Sequence, residues 1–432
     1  MIKIQNLNNN IKVSFSEILF VSLPILLISG PLLSDFAITF ISLAFLFEKI
    51  YRNDFSAIKD KYFYIFLIFW IYLVINSLLN NINPDSLKIS FSYIRFGLFV
   101  FAAAELIKKN EKLIIYFFYC LLFCFCILIF DGFLQYFSGK NLMGIEIYDD
   151  GRISSLFGDE LILGSYISRL WPILFGLAIL LKHDYKINFK ILILIFILSE
   201  VLVFLSGERS SFFFINLSAI FLILTMKDNK KIRLITLTIS LILITIISAI
   251  NSDAKKRIID KTFKQMNLSN FVDEAKKIEN NETNIYIFSK NHNEIYKASL
   301  SIFLDNKLFG VGLKNFRHFC SKEKYFKSRL SCSTHSHNHY VQFLTELGLF
   351  GFTFIICLFA LLLFKIFSHL KKIFEGQYLF DDFELCMISC ILISLWPIIP
   401  TGNFFNNWLS ILYYLPLVFI KWNIEKKKIK KK

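Results

Sequence analysis

Apolar runs about as long as a bilayer is thick recur along the whole chain. They constrain the fold more than any other feature. A helix needs about 20 consecutive apolar residues to cross the hydrocarbon layer, where only helices and closed barrels satisfy their own backbone. Twelve spans are expected, at about 15–30, 32–48, 61–79, 88–107, 113–137, 161–181, 188–206, 210–226, 232–250, 340–364, 384–400 and 404–421. The 432 residues would permit two or three soluble domains, but 55% of them are hydrophobic, which excludes that reading. The fold class expected is an all-α polytopic membrane protein. Residues 1–250 carry the first nine helices, 251–340 form one large outer loop with short helices, and 341–432 hold the last three helices and a basic tail. The N-terminal apolar run lacks a small-residue cleavage site and is followed directly by others, so a cleavable signal peptide is not expected.

Lysine and arginine set the orientation. The connection 49–61 holds Lys49, Arg52, Lys59 and Lys61, and 108–112, 182–190, 227–233 and the tail are also basic. These segments alternate with connections that carry few basic residues, namely Lys88, Lys140, Arg152 and Arg209. Both termini are therefore expected on the cytoplasmic side, with the 251–340 loop outside. The net charge of +15 then reflects topology and contact with anionic membrane lipids, not nucleic acid.

Several charges fall in or beside the outer halves of spans, where they are expensive and mark either function or a buried partner. Arg95 and Arg169 lie within spans, Arg209 sits in the short turn SGERSS, and Arg152 precedes the sixth span. Arginine presents a planar, permanently charged fork suited to phosphate. The alternative is internal pairing of Arg95 and Arg169 with Asp131, Asp159 or Glu208. Cys320 and Cys332 are the two cysteines outside the spans, and an oxidising outer compartment permits a disulfide between them.

Within the loop, a surface helix is expected after 251, then a polar break at 279–286, then a second helix ending at Gly310 and Gly312. Three of the seven histidines follow, His335, His337 and His339, just ahead of a long apolar helix. A shared metal would need an extended backbone, whereas the segment runs into a helical pattern in which residues two apart do not share a face. No metal and no cofactor are expected. One imidazole could act as a base. Asn338 is a candidate cap for the helix, and Glu346, two turns on, a candidate partner for a cation.

DNKLFGVGLKNF followed by HSHNHYVQFLTELGLFG, with RISSLFGDELILGSY, SGERSS and FDGFLQYFSGKNLMG earlier, resembles the O-antigen ligase and O-antigen polymerase family. The resemblance covers about 120–355 in order. It implies a GT-C-like, metal-independent membrane glycosyltransferase that takes a glycan from undecaprenyl diphosphate at the periplasmic face. The ligase passes the glycan to lipid A–core in lipopolysaccharide biosynthesis; the polymerase extends another lipid-linked glycan. By motif, the family's critical histidine falls on His337 and its arginines on Arg209 and Arg152. Arg169 and Arg95 are candidate helpers at the diphosphate, with Asn338, His339, Tyr340, Glu346 and Asp159 in support. The H-N signature and the single large loop favour the ligase. A lipid-linked glycan exporter is the rival from another class, and no internal inverted repeat is visible to support it.

Overall fold

The computed structural model describes residues 13–54, 59–80, 83–149, 151–250, 255–266 and 286–431. Among them helix is the only regular secondary structure, with one isolated bridge between Lys140 and Glu146 and no strand. The helices are α1 (Phe15–Ile28), α2 (Pro31–Tyr51), α3 (Lys61–Leu79), α4 (Pro84–Ser92), α5 (Ile94–Lys109), α6 (Lys112–Ser138), α7 (Leu163–Tyr185) and α8 (Phe189–Leu205). They continue as α9 (Arg209–Thr225), α10 (Lys230–Ile250), α11 (Lys261–Gln265), α12 (Lys290–Asp305), α13 (Phe316–Phe319), α14 (His339–Phe374), α15 (Asp382–Ser394) and α16 (Asn407–Lys431). Among the described residues, seven helical stretches are long and apolar enough to cross a membrane. They are α2, α3, α4 with α5, α6, most of α7, α10 and α14. The other expected spans fall on helices that are shorter or less uniformly apolar. Most of the expected surface helix and polar break of the loop lies outside the described residues.

Burial explains how short helices fit among long ones. α15 has only 13 residues, most of them buried, and it packs against α7, α9 and α16. α3 and α10 are at the periphery, and large apolar side chains such as Ile68 and Leu234 face outward from them. Exposed apolar surface on this scale suits lipid, not water. One continuous apolar core runs through the bundle. A second, small core of Ile295, Ile302, Val311, Phe316, Phe319 and Tyr325 belongs to the 286–338 segment. Beside it a disulfide joins Cys320 and Cys332, whose Cα atoms are 5.1 Å apart.

The two ends of the bundle differ in chemistry. At one end, lysines and acids pair across helices: Lys49 with Glu105 at 2.7 Å, Lys109 with Glu48 at 2.7 Å, and Lys421 with Asp60 at 2.6 Å. Lys427 of α16 reaches Glu384 of α15 at 2.6 Å. The other end gathers the turn between α1 and α2, the segments 139–149 and 151–162, the α8–α9 turn, the segment 286–338 and the connection 395–406, and these surround a large cleft.

Candidate active site

The cleft has a volume of about 1120 Å³. Part of its lining is apolar, with Ile25, Ile28, Met143, Ile145, Leu156 and Leu409. Part is cationic or imidazole-bearing, with Arg169, Lys314, Arg317, His335 and His337, and Glu160 and Glu208 also line the space. Apolar and cationic surfaces thus meet in one cavity, as recognition of an amphiphile with an anionic head requires.

The histidine segment owes its shape to the start of α14. Asn338 is the N-cap, its side-chain oxygen accepting from the amides of Tyr340 at 2.9 Å and Val341 at 3.1 Å. Its amide group donates to the carbonyl of Pro397 at 2.7 Å, which ties the cap to the connection after α15. The residue just before, His337, takes a left-handed conformation with φ 52°. That bend splits the three histidines. His335 and His337 stay in the cleft with ring centroids 4.1 Å apart, while His339 enters the helix, is buried and meets the Tyr413 hydroxyl at 3.2 Å. Among the described residues no group of three or more metal-ligating side chains comes together. His337 Nε2 lies 2.9 Å from Ser333 Oγ, and its ring is 5.7 Å from that of His292 on α12. Its carbonyl accepts from the Thr401 amide at 2.9 Å, so two separate connections fix the imidazole. Burial lowers the pKa of His337. Burial, then the neighbouring His337, hold His335 at about 4, and burial, then His337 and Arg209, hold His292 at about 4. All three shifts favour the neutral ring.

Further along α14, the helix breaks at Gly348 (φ 65°). A break frees carbonyls that need partners in an apolar setting. The Gly310–Gly312 segment supplies them: Val311 N donates to Thr345 O at 3.1 Å and Gly312 N to Glu346 O at 2.8 Å. The Tyr72 hydroxyl donates to Leu347 O. The approach is so close that a Cβ on Gly310 would lie 2.5 Å from the carbonyl carbon of Glu346. The two glycine motifs are halves of one joint. Glu346 itself is buried and accepts from Gln342 at 2.8 Å, which also bonds Asn403 at 3.0 Å.

The arginines have separate fates. Arg169 is only 5% exposed, lies under the cleft, stacks on Phe214 and Tyr413, and bonds Ser165 Oγ at 3.3 Å. One terminal nitrogen, Nη1, has no hydrogen-bond partner. Internal pairing with Asp131, Asp159 or Glu208 does not occur: Asp131 accepts from Leu142 N and Ser155 Oγ, and Asp159 lies near Tyr148 OH, at 3.5 Å. Glu208 caps α7, accepting from Gly164 N at 2.6 Å and Ser165 N at 3.0 Å. Burial, its largest perturbation, raises the Glu208 pKa to about 7. Arg95 is not brought to the cleft. It pairs with Asp35 at 2.7 Å, and Asp35 also accepts from Asn407, so this arginine ties α5 to α2 and α16. Arg152 donates to Ser206 O at 3.0 Å and Arg209 to Thr262 Oγ1 at 3.1 Å, beside the cleft and not among its lining residues. Tyr340 turns away and donates to Leu395 O at 2.6 Å. Lys314 and Arg317, which do line the cleft, have no signal in the sequence beyond lying between the glycine and histidine motifs.

Fold and site together define a multi-pass, all-helical membrane protein with an imidazole-bearing cationic cleft at one end of its bundle. Residues 193–356 match the family model described as O-antigen ligase, and the match supports assignment to the O-antigen ligase and polymerase family. No curated protein matches the chain. The matched stretch contains Arg209, Lys314, Arg317 and the three histidines, and Arg95, Arg152 and Arg169 precede it.

Proposed function

We propose that the protein is an O-antigen ligase-type glycosyltransferase, moving a glycan from undecaprenyl diphosphate to lipid A–core at the periplasmic face of the inner membrane. The observation that carries this reading is the meeting of His337, Arg169 and an apolar lining in one cavity. The buried Arg169, with an unbonded nitrogen, would hold the diphosphate, and Arg209 and Arg152 would meet it at the rim. Fixed positive charge stabilises the negative charge that builds on the leaving diphosphate. The neutral imidazole of His337 would take the proton from the acceptor hydroxyl. The acceptor oxygen bonds to the anomeric carbon as the bond to the diphosphate oxygen breaks, and that oxygen leaves with the electron pair. The result is a single inverting displacement that draws on no metal or nucleotide. The apolar lining, with Ile25 and Ile28 of α1, would receive the start of the polyprenyl chain.

Replacement of His337 with Ala tests the reading. A ligase defect leaves lipid A–core bare while lipid-linked polymer accumulates, whereas a polymerase defect leaves core carrying a single unit. Unchanged surface polysaccharide with normal expression would sink both. Purified protein given lipid-linked donor and lipid A–core, with a chelator and no nucleotide, decides the direction of transfer.

A further inference from the structure

Gly312 to Asn315 form a β-turn closed by Asn315 N donating to Gly312 O at 3.2 Å. Its third residue is Lys314, with φ 57°. That position is filled without strain by glycine or asparagine, and a lysine there is held in a conformation that longer side chains rarely adopt. The turn cannot relax easily, because Gly312 N is bonded to Glu346 O and the Asn315 side chain to Val311 O at 2.8 Å. A strained residue kept by a rigid surround calls for a reason in its side chain.

The Lys314 side chain lines the cleft beside Arg317 and His335. Its ammonium makes no hydrogen bond or ion pair among the described residues, although Glu346 and Asp85 lie within Coulomb reach. Burial, then the charge of Arg317, lower its pKa below the ordinary lysine value. Arg317 bonds one carbonyl, that of Thr334 at 3.4 Å, and also forms no ion pair among the described residues. Two neighbouring cations with no ion-pair partner among the described residues are unfavourable until an anion arrives. They come from the segment between α12 and α14, not from α7, which carries Arg169. The charge of Arg317 acts on His335, whereas that of Arg169 acts on the buried His339.

We propose that Lys314 and Arg317 form an anion subsite for the acceptor, taking a phosphate or carboxylate on the sugar that receives the chain. The assignment to the acceptor rests on the transferase reading above, in which the acceptor lies on the imidazole side. The geometry makes Lys314 a specificity-determining residue and leaves the diphosphate to Arg169.

The test uses the full chain in nanodiscs and two pairs of probes: a phosphorylated oligosaccharide with its dephosphorylated twin, and a uronate oligosaccharide with its methyl ester. The wild type is expected to bind at least one charged probe roughly tenfold more tightly than its neutral twin. The pair that shows the difference tells phosphate from carboxylate. Lys314→Gly and Arg317→Gln should each erase the preference, and Lys314→Arg should keep it. Lys314→Gly should leave the melting temperature unchanged or raised, because glycine removes the left-handed strain. Arg169→Gln should keep the preference while losing inorganic diphosphate. Equal binding of both pairs by the wild type overturns the proposal, as does a preference that survives both Lys314→Gly and Arg317→Gln. If the preference is present but no transfer occurs with any acceptor, the transferase reading fails and the anion subsite stands.

Discussion

His337 occupies a left-handed position that links the cleft segment to the cap of α14. Its ring stays half-buried against Ser333, His335 and His292. Burial disfavours the charged ring, so it stays neutral at pH values below the ordinary 6.5. A base must be unprotonated, so activity is lost only as pH falls through that lowered value. The acid limb of kcat/KM should therefore lie below 6.5, and a limb at or above it would show that another group is titrating. Stability follows the same sign for His335 and His292, whose folded values are about 4. Their unfolded rings protonate near 6.5, so stability is complete above that value and declines as pH falls from 6.5 toward 4. Melting temperatures measured at pH 7 and pH 5 should fall in that order. Glu208 provides a separate check. It accepts two amides at the start of α7, and Glu208→Ala should destabilise the protein by about 1–2 kcal/mol, read by thermal unfolding.

The joint between Gly310 and Gly348 shows what an element-scale reading of the sequence can and cannot reach. Both motifs, GVGLKNF and ELGLFGF, are visible as glycine-bearing breaks. Their docking on one another is not, because it depends on the carbonyls that the break in α14 leaves open. The same holds for Glu208, which looks like a neighbour of Arg209 but serves amides 44 and 43 residues away. Arg169 was legible as a charge inside an apolar run; its aromatic surround was not. Arg95, equally visible, belongs to Asp35 on another helix. Lys314 and Arg317 were not legible, since only the folded turn brings them beside His335. A pair of substitutions tests the joint. Gly310→Ala would place a Cβ 2.5 Å from the Glu346 backbone, which has no room to yield. Gly376 also has a positive φ, 74°, but its Cβ would meet nothing within 4 Å. Gly376→Ala should cost about 1–2 kcal/mol, the left-handed penalty alone. Gly310→Ala should cost more and also reduce transfer, and equal effects in melting temperature would refute the joint.

At the scale of the whole molecule, the two ends of the bundle read as two environments. Lysine-rich pairs cross-link the helices at one end, and a cationic cleft under a disulfide-stapled segment occupies the other. The lysine bias was legible in the short connections, because orientation depends on where Lys and Arg fall along the chain. The cleft was not, because its walls come from segments as far apart as Ile25 and Leu409. Orientation makes this asymmetry testable in cells. With the exposed native thiols replaced by serine, a single cysteine is introduced at Lys140 or Lys112. Lys140 follows α6, close to the cleft segment, and Lys112 begins the same helix at the lysine-rich end. A membrane-impermeant maleimide, applied after the outer membrane is opened, should label Lys140→Cys in cells with an intact inner membrane. It should label Lys112→Cys only after lysis. The reverse pattern would put the cleft in the cytoplasm, where a lipid-linked glycan presented at the periplasmic face could not reach His337, and the proposed reaction would have to be abandoned.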